Sequence, residues 1–525
     1  MKTRADSAPS QRTSMGELLS AFAFASDLAF GLQLEDSLRS CYLATRLAER
    51  MGLSEDERLT AYYTALLKDA GCTSWTSELA RFWRTDEISA RRELMVFADR
   101  TTYAGLEAWM YQHVAPDLPF PARQSVFNEV LAGMPQVLAD AITNTAEVAG
   151  RIARRLGMPP AVQQATHHLF EQWDGNGAPA GLRDGEIPIV SRVVLPTFIV
   201  IPVDRVHGRE PAVAAIQRGR GSTFDPAVVD AIAELAGSDE FWASLTGEGI
   251  RERVLAMEPR SALADVGEER IDDVALAFAD FTDLKSRFAP AHSRRVARVA
   301  ERLALHMGCA PEAAIQIRRA ALMHDLGLVA IPSFSLEKGE GQLSDSEWEQ
   351  YRLHPYHGER ILKRVPALAP FAEMLGNHQE RVDGSGYYRG LGGANISLGA
   401  RIIAVADRFD ELTHEAPGRS ALELTDALTS LESDPGFDRR IVGALRQALG
   451  ERSSAPGEHW PAGLTRREVE VLRLAARGMT RAQIGTTLQI TENTVRHHLE
   501  HIYDKTGTST RVAATLFAIE SGLLG

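Results

Sequence analysis

The chain repeats itself. FAFASDL (Phe22–Leu28) returns as FADFTDL (Phe278–Leu284). At the same spacing of 256 residues, DSLRSCYLATRLAERMGL (Asp36–Leu53) returns as HSRRVARVAERLALHMGC (His292–Cys309) and LLKDAG (Leu66–Gly71) as LMHDLG (Leu322–Gly327). Farther along the spacing drifts to 209, where WDGNGAPAGL (Trp173–Leu182) lies over VDGSGYYRGL (Val382–Leu391). STFDPAVVDAIAEL (Ser222–Leu235) closes the first copy as PGFDRRIVGALRQAL (Pro435–Leu449) closes the second. Five blocks in one order fix two related units, expected over 20–240 and 265–450 and joined through Gly237–Asp272. Residues 1–19 are expected to be a flexible tail. A chain of 525 residues leaves room for a third unit, which the Ser/Pro/Gly-rich linker 451–463 sets off as 464–525.

Both copies read as helical. Val296, Val299 and Leu303 keep helical spacing, and Ala/Leu/Arg/Glu-rich segments recur with few β-branched runs. RIIAVA (Arg401–Ala406) has strand-like composition but reads as helix, because Ile403, Asp407 and Asp410 then share a face. The fold class is all-α. The longest apolar run, Val193–Val203, falls short of the roughly 20 residues of a membrane span, and the N-terminus has no apolar signal core. A cytoplasmic protein with no membrane partner is expected. Three widely spaced cysteines build neither a disulfide framework nor a cysteine zinc site, so a metal would be held by histidine and carboxylate. The net charge of −13 divides unevenly: 461–525 has eight Lys/Arg against six Asp/Glu, leaving −15 on the body. Any DNA contact belongs to that tail.

His292 lies on the inward stripe of Val296, Val299 and Leu303, and the pair His324–Asp325 ends a helix just before Gly327. A neutral imidazole and a carboxylate buried together are best satisfied by a cation. In the order His292, His324–Asp325, Asp407 the second copy resembles the HD superfamily of metal-dependent phosphohydrolases. IPSFSLEKGE (Ile331–Glu340), HPYHGERIL (His354–Leu362) and HQERVDGSGYYRGL (His378–Leu391) resemble its HD-GYP branch, whose members hydrolyse cyclic di-GMP. The resemblance implies His292, His324, Asp325 and Asp407 as ligands of one metal and His354 and His378 as ligands of a second, with Asp325 as bridge. It implies one or two divalent ions (Fe, Mn or Zn), His324 and Asp325 at the reacting centre, and a cyclic dinucleotide or other phosphoester as ligand. The chain departs from the branch where Leu328 replaces a lysine, Gln379 a second histidine and Tyr388 a proline, and Phe288 precludes an extra Glu ligand.

Against these positions the first copy presents Asp36, Lys68, Asp69, Thr145, Leu169, Phe170 and Phe198, a set that cannot hold two metals. It reads as a degenerate HD-type domain in which Lys68 pairs with Asp69. His167–His168 are expected to be a solvated pair, His113, His306, His357 and His414 surface or packing residues, and Trp173, Trp242 and Trp348 core residues.

In the tail, Thr465 and Glu468 form a capping-box pattern ahead of Val469, Leu472 and Ala476, with Gly478 as terminator. RAQIGTTL (Arg481–Leu488) follows the cap-like Thr480, then a turn, then ENTVRHHLEHIYDKTG (Glu492–Gly507), whose Val495, Leu499 and Ile502 bury one face and leave Asn493, Arg496, His497 and Glu500 outward. Two short helices and a tight turn have the geometry of a major-groove reader. The segment resembles the LuxR-type helix-turn-helix, here with Gly485 in place of Ala and Gln489 in place of Gly. The DNA-contacting set is then Thr480, Arg481, Asn493, Thr494, Arg496, His497, His498 and Lys505, the last as a backbone contact. A final helix, Ser509–Leu524, lines up Val512, Leu516 and Ile519 as the dimer contact. The expected protein is a homodimeric transcription regulator on double-stranded DNA: two tandem HD-type helical domains, then a small four-helix LuxR-type domain. Its HD site either turns over or, given Leu328 and Gln379, only senses a ligand.

Overall fold

The computed structural model describes residues 13–96, 103–261, 263, 267–450 and 460–524; among them there is no strand, only helices and two isolated bridges. None of these helices is long and apolar enough to cross a membrane. Residues 1–12 of the expected tail and 451–459 of the linker lie outside the described residues. The rest of the tail differs from expectation. Ser14 caps a helix Met15–Phe30 by accepting from the Glu17 amide (3.0 Å), and Met15, Leu18 and Leu19 are fully buried, so residues 15–19 are core helix.

The repeat recurs helix by helix. Met15–Phe30, Asp36–Arg50 and Glu55–Leu66 correspond to Glu269–Asp283, His292–His306 and Pro311–Met323; Pro160–His167 corresponds to Ala369–Asn377. RIIAVA lies inside the helix Leu398–Thr413, whose counterpart is split at Pro196 into Ile189–Val194 and Thr197–His207. The polar scaffold repeats as well. The Asp27 carboxylate accepts from the Ser37 amide (2.9 Å) and that of Asp283 from Ser293 (3.1 Å), each at the head of the next helix. Glu171 accepts from the amides of Ala180 and Leu182 (2.7 and 3.0 Å), and Glu380 from those of Arg389 and Leu391 (3.1 and 2.8 Å). Arg192 pairs with Asp225 and Arg401 with Asp438, both at 2.7 Å. Gly327 lets two helices cross: a Cβ there would lie 1.8 Å from the His354 carbonyl oxygen, and at Gly71 the matching distance, to Thr145, is 2.0 Å.

The two copies are not beads on a string. Phe22 and its counterpart Phe278 stack at 5.3 Å with rings 19° apart, Phe281 closes on Phe22 at 4.7 Å, and Thr73 Oγ1 donates to the Phe281 carbonyl (2.6 Å). One buried apolar cluster runs through both copies. The connecting stretch joins in, since Glu258 accepts from the Gly16 amide and the Tyr63 hydroxyl, both at 2.8 Å. An insertion in the first copy, Thr76–Trp83, Glu87–Val96 and Tyr103–His113, builds a second small core around Trp83 and Trp109 with the long helix Phe120–Arg155.

The tail folds into Arg466–Ala476, Arg481–Leu488, Glu492–Thr506 and Arg511–Glu520, with capping boxes at Thr465/Glu468 and Thr480/Gln483. Gln489 ends the second helix at φ +55°, and a Cβ at Gly485 would lie 2.8 Å from the Ile490 carbonyl, so that glycine serves the tight turn. The last helix does not present its stripe to solvent. Val512 and Leu516 enter the main core, Arg511 pairs with Glu78 (2.9 Å), Arg155 with Glu520 (2.6 Å), and Thr510 donates to Glu147 (2.8 Å).

Because both copies share one core, Phe22→Ala removes a ring that is 1% exposed between them and costs about 3–5 kcal/mol. Urea denaturation followed by circular dichroism should show a single transition moved to lower urea. Separate transitions for the two copies would contradict the shared core.

Candidate metal centre and nucleic-acid face

Helix ends deliver the site. His292 opens the helix His292–His306, His324 and Asp325 follow Pro311–Met323, His354 opens His354–Lys363, His378 follows Ala369–Asn377, and Asp407 comes from Leu398–Thr413. His324, His354 and His378 are fully buried. Their ligand atoms converge in two sets. In the first, His292 Nε2 lies 3.3 Å from His324 Nε2, 3.4 Å from Asp325 Oδ2 and 3.2 Å from Asp407 Oδ1, while His324 Nε2 lies 3.3 and 3.5 Å from the same oxygens. In the second, His354 Nε2 and His378 Nε2 lie 3.3 Å apart, and 3.5 and 3.6 Å from Asp325 Oδ1. Asp325 turns one oxygen to each set.

These spacings fit cations. Donors at roughly 2.1 Å from a tetrahedral ion stand about 3.4 Å from one another. The tautomers agree: the Nδ1–H groups of His324, His354 and His378 donate to the carbonyls of Ala321, Tyr351 and Leu375 (2.8, 2.8 and 2.6 Å), which turns each Nε2 lone pair inward. Two inward lone pairs 3.3 Å apart repel unless a cation or proton lies between them. Burial pushes the His354 imidazole down to about 4, keeping it an unprotonated donor. Burial also acts to lower His324, but the neighbouring Asp325 and Asp407 outweigh it and raise the imidazole to about 9, so a metal there must displace a proton.

Around the ligands lies support that sequence reasoning missed. His292 Nδ1 is held by Asp410 Oδ2 (2.8 Å), and Arg295 grips the same carboxylate at 2.7 and 2.9 Å. The available signal was helical spacing: Asp410 stands three residues after Asp407 and Arg295 three after His292. Gln379 is no ligand. Its Nε2 donates to Asp407 (2.9 Å) while its Oε1 accepts from Arg381 (3.0 Å), so it orients a ligand of the first set. A cavity of about 560 Å³ opens on the cluster, with His292, Asp325, Tyr351 and Leu328 in its wall; Arg408 there pairs with Glu411 (2.9 Å), and Arg419 donates to main-chain carbonyls. Trp348, expected in the core, is half-buried and stacks on Tyr351 at 5.7 Å, behind His354. His414 lines the cavity and meets Asp410 at 3.4 Å.

The first copy fills the equivalent space with its own cation. Lys68 and Asp69 form a buried ion pair, Ser37 Oγ donates to Asp69 (3.3 Å), and the Lys68 ammonium lies 4.2 Å from the centre of the Phe198 ring, the residue at the Asp407 position. Asp36, at the His292 position, pairs with Arg205 (2.8 Å). His167 and His168 are half-buried rather than solvated, His168 Nδ1 lying 3.4 Å from Glu171. This copy also reaches the other's site. Its Glu87 accepts from the amides of Ser333 and Phe334 (2.8 and 3.4 Å) and faces buried Lys285 at 3.6 Å, holding in place the segment that leads to the cavity wall at Ser335.

On the tail, Thr480, Arg481, Asn493, Arg496 and His497 are exposed and Thr494 and His498 half-exposed, on and beside the helix Glu492–Thr506. Arg496 is tied to Asn493 (2.9 Å) and Glu500 (2.9 Å). Lys505, expected to reach a DNA backbone, is instead paired with the Glu468 capping carboxylate at 2.7 Å.

Comparison with known proteins finds relatives of both parts of the chain. Residues 277–441 match the family model described as HD domain, and residues 462–518 that of bacterial regulatory proteins, luxR family. The 3′3′-cGAMP-specific phosphodiesterase 3 of Vibrio cholerae serotype O1 is 29% identical over 437 residues, 83% of this chain and 94% of its own. The cyclic di-GMP phosphodiesterase response regulator RpfG of Xanthomonas campestris pv. campestris is 34% identical over 222 residues, 40% of this chain and 57% of its own. The crystal structure of a cyclic GMP-AMP-specific phosphodiesterase of V. cholerae, V-cGAP3, superposes with a TM-score of 0.57 at 26% identity, covering 84% of this chain and 99% of that one.

Asp410→Asn weakens the anchor of His292, and loss of such an anchor lowers metal affinity about 10–100-fold. Competition of Mn²⁺ between the protein and a chelator measures it; wild-type affinity in the variant would show that His292 is positioned without Asp410.

Proposed function

We propose that this chain, which joins an HD domain to a LuxR-type domain, hydrolyses a cyclic dinucleotide in its second helical unit and binds double-stranded DNA through its last four helices. The observation that carries the reading is the Asp325 carboxylate shared between two inward-facing imidazole sets beside a 560 Å³ cavity. His292, His324, Asp325 and Asp407 would hold one divalent ion (Fe, Mn or Zn) and Asp325, His354 and His378 a second. Such ions supply a hydroxide nucleophile and neutralise charge on a phosphodiester. The chain's own residues supply the rest: Asp410 and Gln379 aim the ligands, and Arg419, whose guanidinium donates to main-chain carbonyls, puts positive charge on the wall that faces a nucleotide's phosphates.

The relatives' printed substrates point to 3′3′-cGAMP or cyclic di-GMP. The units proposed are 15–240, a degenerate HD-type domain that keeps the scaffold without the ligands, then 265–450 and 464–525. The degenerate unit serves as a brace through Glu87. Asn493, Thr494, Arg496, His497 and His498 enter the major groove with Thr480 and Arg481 beside them, and a phosphate competes with Glu468 for Lys505. A DNA partner favours a cytoplasmic location. A homodimer built on the last helix requires that helix to leave the body, where Leu516 is fully buried.

A second reading has a specific observation in its favour: Leu328 removes a cationic group from the cavity and Gln379 contributes no ligand, which suits a sensor that binds without turnover.

Incubation of the full chain with 3′3′-cGAMP and with cyclic di-GMP in Mn²⁺, followed by chromatography, separates the readings. A linear product that disappears in the His324→Ala/Asp325→Ala variant supports hydrolysis; tight binding without product supports the sensor. For the output, Arg496→Ala should weaken binding to a DNA fragment carrying the protein's operator by about 1–3 kcal/mol in a mobility shift. Unchanged affinity would remove Glu492–Thr506 from the groove.

A further inference from the structure

A second cavity, of about 380 Å³, lies between the metal-bearing unit and the helix Arg466–Ala476 of the tail. It shares Phe288, Arg295, His414 and Glu415 with the cavity over the metal ligands, so the two spaces adjoin through a common wall. Among the described residues four guanidinium groups line it, Arg287 and Arg295 from the body and Arg473 and Arg477 from the tail, against a single carboxylate, Glu415. Their partners are unequal. Arg295 is neutralised by Asp410 and Arg287 meets Glu337 at 3.4 Å, whereas Arg473 donates its Nε–H to the Leu523 carbonyl (2.7 Å) and lies 5.7 Å from the centre of the Trp460 ring, with no carboxylate partner among the described residues. Arg477 is exposed and has no side-chain partner among the described residues. Uncompensated positive charge in a concavity, next to a space suited to phosphodiesters, favours an anion with more charge than the substrate.

Hydrolysis of a cyclic dinucleotide makes that anion. A water oxygen bonds to phosphorus, one phosphorus–ribose oxygen bond breaks, and the freed ribose oxygen takes a proton. The second phosphate stays a diester, while the cleaved one becomes a terminal monoester of about −1.5 to −2 at pH 7. We propose that the cavity between the second helical unit and the tail is a site for the terminal phosphomonoester of a linear dinucleotide, with Arg477 and Arg473 as its reporters to the DNA-binding unit. The proposal rests on the hydrolytic reading of the neighbouring site, but the pocket's preference is measurable without turnover. Product in this site draws together a helix of the tail and the body, and thereby alters how the tail is held.

The test uses the full chain and two probes, the linear dinucleotide pGpG and its analogue GpG lacking the terminal phosphate. Calorimetry should show pGpG bound at least tenfold more tightly than GpG. Arg477→Ala should cut that preference several-fold and Arg477→Glu abolish it, while Arg477→Lys retains most of it. Hydrolysis of the cyclic dinucleotide by Arg477→Ala should match wild type, and pGpG should shift operator affinity in wild type but not in Arg477→Glu. Equal binding of pGpG and GpG, or a preference untouched by Arg477→Glu, overturns the site. A preference that depends on Arg477 in a protein that hydrolyses nothing supports the site and defeats the hydrolytic reading.

Discussion

Asp325 is the constraint on which the rest of the structure depends. One carboxylate has to present its two oxygens to two different pairs of imidazoles, all of them withdrawn from water, and it does so only if four helix ends meet at one point. The chain achieves this with one local device used three times: a histidine at a helix boundary donates its Nδ1 proton to the carbonyl three residues earlier, which fixes the ring and turns Nε2 inward. Gly327 then lets the strand of chain after Asp325 approach the His354 carbonyl more closely than any side chain would permit. Buried donors and carboxylates this dense would destabilise the core without charge compensation, which a protonated imidazole or a bound cation supplies.

Duplication explains why the scaffold outlives the site. Both copies keep the Asp cap, the Glu that closes the glycine-rich turn and the Arg–Asp pair, because these hold the helices together whatever lies between them. In the first copy the space between is filled by Lys68, a cation carried by the chain itself, with Asp69 for charge and the Phe198 face for contact. That copy supplies Glu87 to the other and a seat for the last helix, so the described residues form one body with an asymmetric pair of halves.

The sequence was most legible where local pattern and repetition carry the information. Two copies, their helices, the convergence of His292, His324, Asp325, His354, His378 and Asp407, and the four tail helices all follow from spacing and resemblance. What escaped was pairing across distance. Helical periodicity marks Val512 and Leu516 as apolar but does not say that the body rather than a second chain covers them. Asp410 reads as one more polar residue of its helix until Arg295 and His292 arrive from 115 residues away or more. Lys505 is basic in any reading, and only the folded tail shows Glu468 within reach. Trp348 and the His167–His168 pair were misplaced for the same reason: residue type alone does not fix depth of burial.

The two cavities adjoin, so the His/Asp cluster of the second copy and the LuxR-type unit share one wall. We propose that the second copy alone builds a two-metal centre that cleaves a cyclic dinucleotide. Titrating the metal-free full chain with Mn²⁺ while following bound metal and 3′3′-cGAMP turnover in the same samples tests it most directly. Turnover that rises with loading and levels off at two ions per chain is the predicted result; full occupancy without turnover, or no tightly bound metal at all, would contradict it.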